Sequence, residues 1–295
     1  MARMLDALEK ARREREQKQE ADPAAAAAAP RTADNAPPEA EPAAPANHAG
    51  PSRATAFHPT IDAAIVSVHD LQSPVTEQIR LIRTNLENVL ADHHSRSIVV
   101  TSPGVGDGKT LVSANLAGVL ADDPTKNVLL IDADLRGPVQ HKLFGVKAAP
   151  GLSDYLQGQA PLERVIQQTS IPNLHIITAG HLPPKPPVLL GSEWMQRLLG
   201  ELKNSYHWIV IDTPPLLAVT DATVVARECI GLIMVVRMGK TPRTLIERAQ
   251  NMLAEMRLPV LGCILNEFES TQRSDHYYYR YYKDKDRRET DGFSA

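Results

Sequence analysis

Two cysteines in 295 residues, an aromatic content of 4% and no long apolar run are the chain's shortages, and each excludes something. Cys229 and Cys263 both fall in apolar stretches, so they read as reduced, buried small hydrophobes, the usage of a cytosolic protein. The longest apolar runs, Val128–Ile131 and Ile230–Val236, fall far short of the roughly 18 residues that a membrane span needs. A signal peptide is excluded as well, because Asp6, Glu9 and a dense charge run stand where an apolar centre is required. An excess of one charge sign is also missing. A net charge of −3 without a basic stripe argues against a nucleic-acid partner.

The scarce aromatics are unevenly spread. Five of the seven tyrosines, Tyr277, Tyr278, Tyr279, Tyr281 and Tyr282, sit together near the C-terminus. A folded domain places tyrosines where each ring packs and each hydroxyl finds a partner. A cluster on a polar tail does neither, so its value lies in being modified or bound. The plainer alternative is a sticky tail, or an edge that pairs with another chain.

Composition divides the chain into four parts. Residues 1–20 carry Met1, Met4, Leu5 and Leu8 at helical spacing ahead of a charged run, the pattern of a short amphipathic helix that either docks or stays solvated. Residues 21–60 are mostly Ala and Pro with scattered acids, a composition that cannot bury enough apolar surface to order itself. Residues 61–268 have the length of one α/β domain, and residues 269–295 form a flexible tyrosine-rich tail.

Within the domain, β-branched runs at Ser97–Thr101, Val128–Ile131, Leu174–Thr178, His207–Ile211, Ile230–Val236 and Val260–Leu265 predict strands. Helical segments separate them, notably Thr110–Leu120, Glu193–Lys203, Asp221–Arg227 and Thr241–Met256. Strands alternating with helices predict a mostly parallel sheet covered on both faces, the P-loop NTPase-like α/β class. Ligands of such sheets bind at the carboxyl ends of the strands.

Three motifs follow strand ends. Ser102-Pro-Gly-Val-Gly-Asp-Gly-Lys109-Thr110 runs from a strand into a helix. Its glycines let backbone N–H groups curl around a phosphate at a helix N-terminus. Lys109 reaches the β/γ-phosphates and Thr110 offers a hydroxyl to Mg²⁺, although Pro103 stands where the strict pattern wants its first glycine. Next, Asp132 and Asp134 flank the end of a second strand. Paired carboxylates beside phosphates suit Mg²⁺ binding and activation of an attacking hydroxyl. The third motif, Trp208-Ile-Val-Ile-Asp212-Thr-Pro-Pro215, is an apolar strand ending in an acid, the Walker B arrangement. Each acid alone reads equally as a cap or a solvated strand end; together they converge on nucleotide chemistry.

With these motifs, roughly Ser73–Phe268 and the tyrosine tail resemble the bacterial tyrosine kinases. These are P-loop autokinases of capsule and exopolysaccharide export, related to deviant-Walker partition ATPases. The resemblance implies ATP and Mg²⁺ as cofactors, with Gly106, Asp107, Gly108, Lys109, Thr110 and Leu111 as the nucleotide cradle. It implies catalytic roles for Lys109, Asp132, Asp134 and Asp212, with Asp132 as the base for the tyrosine hydroxyl and Thr110, Asp134 and Asp212 at the metal. Autophosphorylation of Tyr277, Tyr278, Tyr279, Tyr281 and Tyr282 in trans follows from it too. Glu77, Arg80 and Arg83, spaced by three on one helix face, resemble the family's ring-assembly motif. Implied partners are a membrane chain-length-determinant activator, further copies of the chain in a ring, and a cognate phosphatase. The implied location is the cytoplasm, at the inner face of the membrane through that activator.

Two departures stand out: Val105 where the family has proline, and Asp107, whose charge falls beside the phosphates. Arg237 and Lys240 either offset phosphate charge or stay solvated. A partition-type ATPase switch is the alternative function, and a nucleotide-binding scaffold is a third. The signature lysine of partition ATPases is missing, since Pro103 and Gly104 occupy its region.

Overall fold

The computed structural model describes residues 61–267. Seven strands form one sheet in the order β3-β4-β2-β5-β1-β6-β7. They are β1 (Arg96–Thr101), β2 (Val128–Asp132), β3 (Ile166–Gln168), β4 (Leu174–Ile177), β5 (Trp208–Asp212), β6 (Gly231–Arg237) and β7 (Val260–Asn266). Every pairing is parallel except β3 with β4, which is antiparallel.

The central strands are apolar on both sides, and their alternation fills two cores. Val99, Leu129, Ile131, Ile209, Ile211 and Met234 face one; Ile98, Val100, Leu130, Val210, Ile233 and Val235 face the other. Such double burial is what a parallel sheet between helix layers demands. On the second face lie α1 (Val66–His69), α2 (Pro74–Val89), α3 (Lys109–Leu120) and α4 (Gln140–Leu143). The first face is covered by α5 (Leu152–Leu156), α6 (Leu162–Val165), α7 (Pro186–Leu190), α8 (Glu193–Leu202), α9 (Asp221–Ala226) and α10 (Arg243–Glu255).

Helix α3 is apolar nearly all round because α1 and α2 cover its outer side. A Cβ on its Gly118 would lie 2.8 Å from Ser67 Oγ in α1. Helix α2 starts where its sequence says it should: Ser73 Oγ accepts the Val75 N–H at 3.2 Å and Pro74 follows at the first helical position, a cap worth about 1 kcal/mol.

The six expected strands and four expected helices are present, with ends shifted by one or two residues. Helix α10 begins at Arg243 rather than Thr241 because the Thr241 hydroxyl is used in the preceding turn, accepting from Arg237 N at 3.0 Å. The edge strand β3, three residues with two glutamines, and the one-turn helices α1 and α4–α7 carry too little periodicity to be read. One expectation is corrected. Cys263 is exposed on β7, the last strand of the sheet among the described residues, and Cys229 is only partly buried. Among the described residues no helix is long and apolar enough to cross a membrane.

Candidate active site

The sheet order brings the three motifs together. β2, β5 and β1 are neighbours, so Asp132 and Asp212 become register partners at the carboxyl ends of β2 and β5. Val100, at the end of β1, is the register partner of Asp212 on its other side. The segment after β5 is stitched to β1: Thr213 N donates to Val100 O at 3.1 Å, and Thr101 Oγ1 to Pro214 O at 2.9 Å.

The loop after β1 curls through Gly106 (φ +85°) and Gly108 (φ +91°), a region open to glycine at no steric cost. A Cβ on Gly108 would also lie 2.1 Å from Asn266 Nδ2. That amide donates to Asp107 O at 3.0 Å and so ties the loop to the end of β7. Gly108→Ala therefore combines backbone strain with a collision. We expect at least a tenfold loss of ADP affinity by titration with a fluorescent analogue (1.4 kcal/mol per tenfold). Unchanged affinity would mean that the loop is not the nucleotide cradle.

The Asp107 carboxylate, expected to add charge beside the phosphates, is held by protein partners. It is buried, with Oδ2 accepting from Gly104 N at 3.1 Å and Oδ1 from Thr241 Oγ1 at 2.7 Å. Only its backbone remains for the cradle. Arg237 joins the same rim, donating to Gly106 O at 3.2 Å and pairing with Glu267 at 2.5 Å. Lys240 lies 3.7 Å from Glu267. The first turn of α3 leaves the N–H groups of Lys109, Thr110 and Leu111 without partners from a preceding turn; Val112 N is the first to find one, at Gly108 O.

Lys109 sits among the acids. Its Nζ lies 2.9 Å from Asp134 Oδ2, 3.6 Å from Asp212 Oδ1 and 3.1 Å from Thr110 Oγ1. Burial works against its charge, but Asp212 and Asp134 more than offset this and hold its pKa above the ordinary value. Asp212 is raised by burial, with Lys109 opposing.

Asp132 is also raised, by burial and then by the neighbouring Asp212 charge. It is fully buried, and its oxygens accept Asp134 N at 3.2 Å and Gln140 N at 3.1 Å. The raised pKa suits the expected role of Asp132 as a proton acceptor, at a carboxylate that is itself buried. Asp134 is 7% exposed. Its Oδ1 accepts from Gly137 N at 3.1 Å and Arg136 N at 3.3 Å.

The donor set fits a magnesium ion that arrives with a nucleotide. Asp212 Oδ1 is buried without a hydrogen-bond partner, and Asp134 and Thr110 converge on the same ammonium. Among the described residues no three His, Cys, Asp or Glu form a ready metal cluster. Mg²⁺ suits this, since it takes one or two carboxylates and completes its shell with phosphates and water.

Sequence reading missed several members of the site. Gln140 bridges all three motifs. Asn266 and Thr241 hold the loop, and Arg136 forms a two-pronged pair with the buried Asp221 at 3.0 and 3.1 Å. A polar residue at the carboxyl end of a strand, as Asn266 is, was the one available signal. Glu77, Arg80 and Arg83 stand apart on α2. Arg80 pairs with Glu77 and donates to Leu71 O at 2.9 Å; Arg83 donates to Val119 O at 3.1 Å and lies 3.7 Å from Asp123. The N-terminal helix, the Ala/Pro linker and Tyr277, Tyr278, Tyr279, Tyr281 and Tyr282 lie outside the described residues.

A glycine loop, a buried lysine and acids on adjacent parallel strands define a P-loop nucleotide-binding protein of the ParA class. The family model for ParA, described as NUBPL iron-transfer P-loop NTPase, matches residues 93–291. More narrowly, the chain belongs to the bacterial tyrosine kinase family and is a protein-tyrosine kinase. It is 37% identical over 215 residues to the tyrosine-protein kinase YwqD of Bacillus subtilis (strain 168), covering 73% of this chain and 90% of YwqD. The kinase domain of Escherichia coli tyrosine kinase ETK superposes with a TM-score of 0.68 at 34% identity, covering 73% of this chain and 86% of that domain. The septum site-determining protein MinD of Pyrococcus horikoshii OT3, complexed with Mg-ADP, gives 0.51 at 29% identity over 61% of this chain and 73% of that one.

Proposed function

We propose that the chain transfers the γ-phosphoryl group of ATP to its own tail tyrosines, Tyr277, Tyr278, Tyr279, Tyr281 and Tyr282, one copy acting on another. The observation that carries this reading is Lys109 held between Asp134 and Asp212, in a chain whose sequence ends in a run of tyrosine acceptors. The phenolic oxygen attacks the γ-phosphorus, the bond to the β,γ-bridging oxygen breaks, and ADP leaves. In a loose transition state the protein contributes position and charge. Lys109 and the loop N–H groups hold the phosphates; Thr110, Asp134 and Asp212 would hold Mg²⁺, which would supply positive charge to the phosphates. The phenol's proton passes to Asp132, whose raised pKa suits it to accept one and which also holds the Asp134 backbone N–H.

The reading extends to a membrane chain-length-determinant activator, control of polysaccharide export, a cognate phosphatase and a homo-oligomeric ring. Tail phosphates add about −1.5 to −2 charges each and so favour ring loosening. Glu77, Arg80 and Arg83 on α2 are the proposed contact with a neighbouring copy: the Glu77 and Arg80 side chains are 49% and 35% exposed, and their pairs within the chain can be exchanged for a neighbour's.

Mixing full-length Lys109→Met protein, as acceptor, with wild type and Mg·ATP tests transfer between copies. Phosphotyrosine on the Lys109→Met chain is the expected result, and phosphate confined to wild-type chains contradicts it. The likeness to MinD favours a second reading, an ATPase switch without tyrosine chemistry, for which neither chain would carry phosphotyrosine.

A further inference from the structure

We propose that Gln140 is a positioning residue for the metal: its side-chain amide fixes one oxygen of Asp212 and so leaves the other for the Mg²⁺ shell. The inference rests on the metal role given to Asp212 above. Gln140 opens α4, eight residues beyond Asp132, and is fully buried. Its Nε2 lies 3.0 Å from Thr110 O, 2.9 Å from Ser113 Oγ and 3.1 Å from Asp212 Oδ2. Its backbone N–H goes to Asp132 Oδ2 at 3.1 Å. One residue thus touches the first turn of α3 and the acids that end β2 and β5.

The amide has two hydrogens. Ser113 Oγ itself donates to Thr110 O at 2.9 Å, so that pair shares one hydrogen and Asp212 takes the other. Reversing the amide would set its oxygen against a carbonyl and a carboxylate, so its orientation is fixed. The cost is visible, because Gln140 Oε1 is buried with no hydrogen-bond partner. A purely structural tie between α4 and α3 does not need the third contact. That contact pins Asp212 Oδ2, leaving Oδ1 3.6 Å from the Lys109 ammonium, with the Thr110 hydroxyl also beside the carboxylate. Groups that orient a metal ligand in this way are commonly worth about 10–100-fold in metal affinity.

The test uses the full-length protein, with Mn²⁺ binding to the ADP complex read by electron paramagnetic resonance. ADP affinity in EDTA is read separately with a fluorescent analogue. Gln140→Met keeps the length and removes the amide. It is expected to weaken Mn²⁺ binding at least about tenfold while leaving metal-free ADP affinity within about twofold. Ser113→Ala removes another acceptor of the same amide without touching Asp212, and is expected to leave Mn²⁺ affinity unchanged. In an Asp212→Asn background, Gln140→Met should add little. If the methionine variant does not fold, Gln140→Asn, which withdraws the amide by one methylene, serves in its place. Unchanged Mn²⁺ affinity, or equal weakening by Ser113→Ala, overturns the proposal. Failure of the wild-type ADP complex to bind Mn²⁺ overturns the metal assignment itself, and with it the role of Gln140.

Discussion

Replacing Lys109 with methionine should abolish autophosphorylation and also destabilise the protein, in the absence of metal, by about 3 kcal/mol. The first effect follows from losing a positioned cation at the phosphates, where one preorganised donor is commonly worth about 10²–10³-fold in rate. The second follows from what the lysine leaves behind. Asp134 and Asp212 approach its ammonium at 2.9 and 3.6 Å, and their side chains are 10% and 1% exposed. Removing one partner of a buried ion pair typically costs about 3–5 kcal/mol, because the other charge stays buried. In a domain of this size that corresponds to a fall of roughly 6–12 °C in melting temperature. Saturating Mg²⁺ and ADP should narrow the gap, since the metal replaces the missing positive charge. A variant that melts like wild type without metal would show that Lys109 does not offset the acids.

Asparagine at the two acids of the second motif should separate their roles. Asp134→Asn is expected to lower autophosphorylation at least about 10²-fold and to weaken Mg·ADP binding, through loss of a metal ligand and of the pair with Lys109. Asp132→Asn is expected to lower the rate as far while leaving Mg·ADP affinity within about twofold, because it removes the proton acceptor and no metal ligand. Initial rates of tail phosphorylation at saturating ATP measure both. An Asp132→Asn rate like that of the wild type would remove Asp132 as the base.

The sheet was legible because its strands are continuous apolar runs, and double burial leaves few alternatives for Val128–Ile131 or Ile230–Val236. The convergence of the motifs was legible as well, since each lies at a strand's carboxyl end, where ligands of parallel sheets bind. What could not be read was register and depth. That Asp132 and Asp212 are partners across neighbouring strands depends on the order β2-β5-β1, which no local pattern encodes. The same holds for Asp107. A carboxylate in a phosphate loop reads as a charge near the nucleotide, and only its bonds to Gly104 and Thr241 turn it into a brace. Gln140 carries no motif, and its importance comes from the turn that returns the chain from Asp134 to α4. Arg80 and Arg83 were legible as one helix face from their spacing, but their approach to 3.7 Å of Asp122 and Asp123 in a distant turn was not.

The central claim is that this site phosphorylates its own tail. It is tested most directly by intact-mass and phosphotyrosine mapping of the full chain, incubated with Mg·ATP beside the Lys109→Met variant. The cytoplasmic segment of a candidate activator is fused to the N-terminus of both. The account predicts phosphate on Tyr277, Tyr278, Tyr279, Tyr281 and Tyr282 in the active chain and none in the variant. An active chain that binds and hydrolyses ATP yet carries no phosphotyrosine would contradict it and favour the ATPase switch.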